Sequence, residues 1–207
     1  FGPGIIRRAA SLSPPWGGNI EAMTVKNFEH AFLTHIHSDH SAGLADLLLT
    51  PWVMGRDSKL NLYGPSGLEQ MASSILEAFE DDINYRINGT QPSNDVGYKF
   101  NFNLLTEGVV YKDKNITVEA FKVPHGTFDD AYGFRLTSQD KVIVFSGDTG
   151  PSTTLEEFAT NADILVHEVY SNAGFKEKTK DWQKYHQGHH TSTFEVGQIA
   201  SRAKPKL

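Results

Sequence analysis

The sequence predicts an α/β fold in which sheets lie between layers of helices. Apolar strand-like segments occur at 116–123, 131–137, 141–146 and 163–168. A short helix is predicted between two of them, at 152–160. The clearest helix signal begins at Ser66, after which apolar residues recur on one helical face as far as Phe79. Strands alternating with helices in this way are typical of layered α/β domains.

Local signals place the remaining predicted elements. We expect a buried strand at 30–37, a helix within 41–49 and a strand at 60–65. Two capping boxes are predicted at helix starts, Ser66 with Glu69 and Ser192 with Glu195. The start of the chain, with "FGPG" and "SPPWGGN", is expected to be rich in loops, and the polar segment 83–98 is expected to be a surface excursion.

Length and composition exclude several classes of protein. We predict a single domain over 1–207, incomplete at both termini because the chain opens without Met and stops in "AKPKL". The net charge is −6 and the basic residues are scattered, so no nucleic-acid footprint stands out. The absence of cysteine excludes thiolate metal sites and leaves the compartment, cytoplasmic or exported, undetermined. Polar residues interrupt the longest apolar stretch, so no bilayer span is predicted.

The stretch "THIHSDH" predicts a metal site. His35 and His37 alternate with one residue between them, so in an extended segment their imidazoles point the same way. A turn at Ser38 would bring Asp39 and His40 near a second point. Imidazole and carboxylate without thiolate suit Zn²⁺ or a neighbouring first-row ion. The alternative is a chance cluster of solvated histidines in a loop.

Two later strands also end in candidate ligands. His125 follows "ITVEAFKV", and Asp148 follows "VIVFSG". Taken alone, each residue could simply belong to a turn. Polar side chains at the ends of core strands are nevertheless where α/β sites collect, and together with the first cluster they would add a third nitrogen and a bridging carboxylate.

The motifs "THIHSDH", "VPHG", "FSGDTG", "HEV" and "HHTST", in this order from Thr34 to Thr193, resemble those of the metallo-β-lactamase fold superfamily. The resemblance implies an αββα four-layer sandwich with two divalent metal ions, Zn²⁺ first and Mn²⁺ or Fe²⁺ as alternatives. The ligands implied are His35, His37 and His125 on one ion, Asp39 and His40 on the other, and Asp148 as the bridge.

Asp148 is a residue that true β-lactamases lack, whereas Glu168 in "HEV" and His190 in "HHTST" resemble the ribonuclease Z-like branch. That branch also includes alkylsulfatase-like and cyclic-nucleotide phosphodiesterase-like members. The resemblance implies a hydrolase in which a metal-bridging hydroxide, oriented by Asp39, cleaves an ester. His190 would contact the oxyanion or protonate the leaving group, and Glu168 would hold its other ring nitrogen.

The substrate and partners are less sharply predicted. Only 23 positions separate His125 from Asp148, which leaves no room for the tRNA-gripping arm of ribonuclease Z, so a small phosphodiester or related ester is favoured over nucleic acid. A ribonuclease Z-type endoribonuclease and a non-catalytic metal-binding protein are the alternatives, and a homodimer is kept open. The family's last metal ligand would lie beyond Leu207. His189 competes with His190 for the catalytic role, and the aromatic residues Phe175, Trp182 and Tyr185 are read equally as a pocket wall or as packing.

Overall fold

The computed structural model describes residues 1–207, which divide into two compact units at 1–104 and 105–207. Each unit has its own sheet and its own helices, so the predicted α/β class is confirmed. None of the helices is both long and apolar enough to cross a bilayer. That 1–207 forms one domain stays a prediction.

The first unit contains a parallel sheet in the order β1-β2-β3. Parallel neighbouring strands need crossover connections, and helices form the connection before the central strand as well as the one after it. Leu60 and Leu62 of that strand are fully buried in the core. The elements are α1 (Ile5–Leu12), β1 (His30–Phe32), α2 (Ser38–Ser41), α3 (Leu44–Val53), β2 (Leu60–Gly64), α4 (Leu68–Ala78), α5 (Glu80–Asn88) and β3 (Phe100–Leu104), with 3-10 turns at Pro14–Trp16, Glu21–Met23 and Val25–Asn27.

A buried arginine holds the end of α3 in place. Pro51 lies inside this helix and removes the N–H that would bond the carbonyl of Leu47. Arg56, only 1% exposed, donates to that carbonyl at 3.2 Å and to the carbonyl of Leu48 at 2.8 Å. It also donates to Gly97 O at 2.9 Å. Burial lowers the pKa of Arg56 to about 10, so the group remains charged at neutral pH.

The second unit contains a five-stranded sheet in the order β4-β5-β6-β7-β8, antiparallel except for the parallel pair β7 and β8. Phe121, Val144 and Leu155 are buried in its core. A pair between Arg202 Nε and Glu156 Oε2, 2.7 Å apart, joins α6 to α9. The elements are β4 (Gly108–Lys112), β5 (Thr117–Lys122), β6 (Tyr132–Thr137), β7 (Val142–Phe145), α6 (Thr153–Ala159), β8 (Ile164–Val166), α7 (Asn172–Lys176), α8 (Lys180–His189) and α9 (Thr193–Ala203).

Most predicted elements are present, and the capping box of Ser192 and Glu195 is formed. The box at Ser66 is not the cap of α4. The N-cap of that helix is Gly67, whose φ of 89° lies in the left-handed region and which offers no side chain. The predicted strand at 30–37 is also too long, because β1 ends at Phe32 and only one further ladder bond, from Leu33 N to Tyr63 O at 2.8 Å, follows it.

Two segments expected to be irregular contain helices. The predicted excursion at 83–98 begins inside α5, whose first turn carries Glu80, Asp81 and Asp82, where acidic side chains favour the helix dipole. The start of the chain contains α1, whose buried residues Ile6 and Ala9 lie on one face. Both helices are short, and tertiary contacts outweigh their weak local signal.

Candidate metal centre

The first ligand cluster follows β1 in the first unit. His35 is completely buried, and its Nε2 lies 3.0 Å from Nδ1 of His37. The two imidazoles come together through the course of the loop and not through strand alternation, since β1 has already ended. The hydroxyl of Thr34 lies 3.1 Å from Nδ1 of His35. Two imidazole nitrogens therefore approach a common point.

Asp39 and His40 lie on α2, directly after His37. His40 Nε2 is 3.4 Å from Asp39 Oδ2, and the His40 ring is 4.3 Å from that of His35, measured between centroids. The hydroxyl of Ser41 donates to the carbonyl of His37 at 3.0 Å and thereby anchors the turn. The Asp39 side chain is 76% exposed. The first unit thus brings the imidazoles of His35, His37 and His40 close together, whereas Asp39 contacts its neighbour His40 and joins none of the groups close enough to hold a metal ion.

The second cluster collects three residues from separate parts of the second unit. His125 follows β5, Asp148 follows β7, and His190 follows α8. Each offers one ligand atom, and these atoms lie within 4.8 Å of one another. His125 is buried, and the side chains of Asp148 and His190 are 14% and 19% exposed. Imidazole and carboxylate donors at this spacing suit Zn²⁺ or a similar divalent ion.

Backbone groups at the end of α8 orient His125. Its Nδ1 donates to the carbonyl of His189 at 2.9 Å, so Nε2 is the nitrogen whose lone pair could bind a metal ion. The neighbouring Gly126 donates from its N–H to Gly188 O at 3.0 Å. Gly126 has φ 60°, and a Cβ there would lie 1.9 Å from Nε2 of His189. Only glycine fits this approach without displacement of the ring.

Glu168 fixes the orientation of the His190 ring. Its Oε1 accepts from His190 Nδ1 at 3.0 Å and from the backbone N–H of Thr149 at 3.1 Å. Asp148 Oδ2 is 3.9 Å from the same His190 nitrogen. Since Nδ1 faces Glu168, Nε2 of His190 is the nitrogen that could contact a metal ion or a substrate. This is the contact that the resemblance implies for the two residues.

His167 lies beside Glu168 in sequence but takes no part in this cluster. Its Nδ1 donates to the carbonyl of Glu168 at 2.6 Å, and its Nε2 is buried without a hydrogen-bond partner. Burial lowers the pKa of His167, which favours the neutral ring.

Sequence reasoning missed the groups that orient the ligands. The carbonyl of His189, the N–H of Thr149 and the small size of Gly126 leave no side-chain pattern. The sequence predicts His189 only as a rival for the catalytic role, whereas in the structure its backbone carbonyl accepts from His125. The glycine after His in "VPHG" was the one signal available for this part of the site.

Comparison with known proteins assigns the chain to a family. A family model described as "Anti-Pycsar protein Apyc1" matches residues 19–186. A ribonuclease Z of Mycobacterium sp. (strain KMS) is 33% identical over 177 residues, which cover 83% of this chain and 60% of the relative. A ribonuclease Z of Mycobacterium bovis (strain BCG / Pasteur 1173P2) is 30% identical over 209 residues, covering 98% and 70%. The chain thus spans less than two thirds of the first of these relatives.

Solved structures show the same fold. Human tRNase Z, short form, superimposes with a TM-score of 0.64 at 19% identity, covering 88% of this chain and 71% of that one. The metallo-β-lactamase fold protein YhfI from Bacillus subtilis gives 0.60 at 17% identity, covering 88% and 63%. The predicted metallo-β-lactamase type of fold is therefore confirmed. The chain belongs to the Anti-Pycsar protein Apyc1 family, and it is a ribonuclease Z-like protein with the metallo-β-lactamase fold.

Proposed function

We propose that this chain is the catalytic core of a dinuclear metal-dependent hydrolase that cleaves a small phosphodiester or a related ester. The observation that carries the proposal is the second cluster. His125, Asp148 and His190 offer ligand atoms within 4.8 Å of one another, and Glu168 holds His190 at 3.0 Å. A structural role alone does not require three buried or half-buried ionisable groups with their orientation fixed in this way.

We further infer that residues of both units hold a pair of divalent ions. We assign His35, His37 and His125 to one ion and Asp39 with His40 to the other. Asp148 would bridge them, as the family resemblance implies. Nδ1 of His125 is already used by the carbonyl of His189, so Nε2 is the ligand atom. When bound, two ions supply a hydroxide at neutral pH and neutralise charge on the phosphoryl oxygens.

The side chains around the metal ions would have different roles in the reaction. Asp39, exposed beside His40, would orient the nucleophile. His190 would place Nε2 against the leaving oxygen and donate its proton there, while Glu168 keeps Nδ1 engaged and stabilises the cationic ring. His190 also lies close enough to Asp148 to serve as a ligand. Metal analysis of His190→Ala separates these roles, because a proton donor can be removed with full metal content.

The course of the chain between His125 and Asp148 favours a small substrate. This stretch contains β6 and β7, paired antiparallel, so it forms a strand pair and no protruding arm. In the tRNA-processing ribonuclease Z enzymes that the chain resembles, such an arm binds the tRNA. The second candidate is a ribonuclease Z-type endoribonuclease, which the names of the curated relatives favour.

Turnover of two substrates decides between the candidates. The zinc-loaded protein is assayed with bis(p-nitrophenyl) phosphate and with a structured RNA carrying a 3′ trailer. We expect hydrolysis of the diester, loss of activity on chelation and recovery on adding Zn²⁺ or Mn²⁺. Rapid cleavage of the RNA alone would establish the endoribonuclease instead. Bound metal without turnover of either substrate would contradict both.

A further inference from the structure

The loop that carries His125 connects two paired strands of the second unit. It joins β5 to β6, which are antiparallel, and the N–H of Val123 donates to the carbonyl of Ala131 at 3.1 Å at the base of the loop. His125 itself is buried, whereas none of residues 126–130, the returning half of the loop, is buried. Ligands on loops are positioned less precisely than ligands on strands unless further contacts hold the loop.

A lysine at the end of β5 makes such contacts with the returning half. Lys122 Nζ donates to the carbonyl of Asp129 and to Oδ1 of Asp130, the latter at 2.8 Å. The same nitrogen lies 4.7 Å from the ring centroid of Tyr132, at a distance that allows a cation–π interaction. Burial alone would lower the pKa of Lys122, but its interactions with Asp130 and Tyr132 outweigh this effect and raise it. The amine is therefore charged at neutral pH and has three partners.

Two consecutive contacts connect this lysine to His125. Asp129, whose carbonyl accepts from Lys122, directly follows Phe128. The backbone N–H of Phe128 donates to the carbonyl of His125 at 3.0 Å. Loss of the lysine would release Asp129 and thereby loosen the turn from His125 to Phe128. The carbonyl of His189 holds the ring of His125 at Nδ1, so the lysine would act on its backbone.

The next hairpin of the same sheet contains a similar pair but no candidate ligand. It joins β6 to β7, and Lys141 Nζ there lies 3.4 Å from the carbonyl and 3.8 Å from Oδ2 of Asp140. These two side chains are 57% and 78% exposed, whereas those of Lys122 and Asp130 are 38% and 37% exposed. The shorter and less exposed pair is thus the one beside His125.

We propose that Lys122 is a positioning residue of the metal centre, which holds the loop after β5 so that Nε2 of His125 is already oriented for a metal ion. Lys122 itself would contact neither the ion nor the substrate. The inference rests on the proposed function, from which it takes His125 as a ligand, and it goes beyond that function by naming a residue outside both clusters. Groups that orient a ligand in this way typically change metal affinity by about 10- to 100-fold.

Zinc affinity, measured by competition with a chromogenic chelator, tests this role without requiring turnover. Lys122→Met keeps the apolar stem and removes the N–H donors, and we expect it to weaken zinc binding about 10-fold. Lys122→Arg keeps the charge and the donors and should stay within about 3-fold of the wild type. In His125→Ala, adding Lys122→Met should change the zinc affinity by less than about 2-fold, because the ligand that the lysine positions is gone.

Lys141→Met is the matched control. It removes the lysine of the neighbouring hairpin and should leave the zinc affinity within about 2-fold of the wild type. Urea unfolding of the zinc-free proteins checks that each variant is folded under the conditions of the titration. If Lys122→Met does not fold, Asp130→Asn takes its place. It leaves the lysine bonded to the carbonyl of Asp129, so we expect a smaller loss of about 3-fold.

An unchanged zinc affinity in Lys122→Met, an equal loss in Lys141→Met, or the same loss from Lys122→Met with and without His125 would overturn the positioning role. Zinc binding weakened in Lys122→Met, where the wild type hydrolyses no diester, would keep this role and reject the proposed function. Diester hydrolysis by the wild type, with an unchanged zinc affinity in Lys122→Met, would do the reverse. A wild type that binds no zinc would overturn both.

Discussion

In the first unit, four candidate ligands lie within the six residues from His35 to His40, whereas in the second unit three candidate ligands come from positions 125, 148 and 190. The first cluster is set by one loop and the short helix α2. The second depends on three strand or helix ends being correctly placed in the same unit. Ligands that are close in sequence can be positioned by one loop and one short helix, whereas ligands that are far apart in sequence come together only when the whole unit is folded.

The support of the ligands differs as well. The Asp39 side chain in the first unit is 76% exposed, while those of Asp148 and Glu168 in the second are 14% and 17% exposed. Buried carboxylates with fixed partners are preorganised, and preorganised groups contribute more to catalysis than mobile ones. We therefore expect the second cluster to be the more rigid of the two and the first, through Asp39, to be the more adaptable.

The largest expected effect comes from removing one ligand in each unit. His37→Ala and His125→Ala should each reduce kcat/KM for bis(p-nitrophenyl) phosphate by at least about 10³-fold, because each would remove an imidazole from one metal ion. If both clusters serve one centre, the double variant should be little worse than either single variant. Kinetics and metal content of the three variants are the measurement.

His30→Ala is the matched control for these variants. His30 is an exposed histidine of the first unit that lies outside the cluster, and we expect its removal to leave activity within about 2-fold of the wild type. Multiplying losses in the double variant would instead mean that the two clusters act independently, and the assignment of one shared centre would be wrong.

A smaller loss is expected when the support of His190 is removed. Glu168→Ala deletes the carboxylate that faces Nδ1, and kcat should fall about 10²-fold while metal content is retained. Glu168→Gln keeps an acceptor and should lose less. The pH profile of kcat should change in both variants, which a purely structural role would not cause.

The corresponding change in the first unit is Thr34→Val, which removes the hydroxyl 3.1 Å from Nδ1 of His35. We expect a loss of no more than about 10-fold, because the imidazole is also held by complete burial. A loss in Thr34→Val equal to that in Glu168→Ala would remove the distinction between the rigid and the adaptable cluster.

The same contrast explains what could be predicted from sequence. The candidates from His35 to His40 could be predicted because they lie close together in sequence, and Asp148 and His125 could be predicted because each follows an apolar strand. The groups that orient these ligands could not be predicted. They are the carbonyl of His189 and the N–H of Thr149, and because every residue has a backbone carbonyl and nearly every residue an N–H, the sequence does not mark these two. Only the folded chain brings position 189 to position 125.

Polar helices and the buried arginine were missed for a related reason. Helix α8 has no buried residue, so it lacks the apolar periodicity from which helices are predicted. Arg56 reads as a surface charge in sequence, yet it is buried because Pro51 leaves a carbonyl without its donor. Both cases depend on tertiary partners that a local pattern does not contain.

A further prediction concerns the glycine next to His125. Gly126→Ala forces φ 60° on a residue with a side chain and places a Cβ 1.9 Å from Nε2 of His189. We expect the free energy of unfolding to fall by about 1–3 kcal/mol and activity to fall with it, because the His125 turn must shift. Urea unfolding and steady-state kinetics measure the two effects.

A second substitution separates the clash from the backbone strain. Gly126→Ala combined with His189→Ala removes the ring but keeps the carbonyl that holds His125, so part of the lost stability should return. His189→Ala alone is the reference for the cycle. No recovery in the double variant would show that the backbone conformation, and not the contact with the ring, fixes glycine at this position.

The smallest expected effect lies away from both clusters, in the pair between Arg202 and Glu156. The hydrogen bond from Arg202 lowers the pKa of Glu156, so this pair stabilises the folded state above the usual pKa of a glutamate and loses its effect as the pH falls through the lowered value. Glu156→Gln should therefore cost about 0.5–1 kcal/mol at pH 7, with the difference from the wild type vanishing in acid. Because α6 and α9 carry none of the proposed ligands, urea unfolding should register the change while hydrolysis stays the same. A fall in activity alongside stability would mean that the placement of Asp148 and His190 depends on the helices of the second unit as well as on its strand ends.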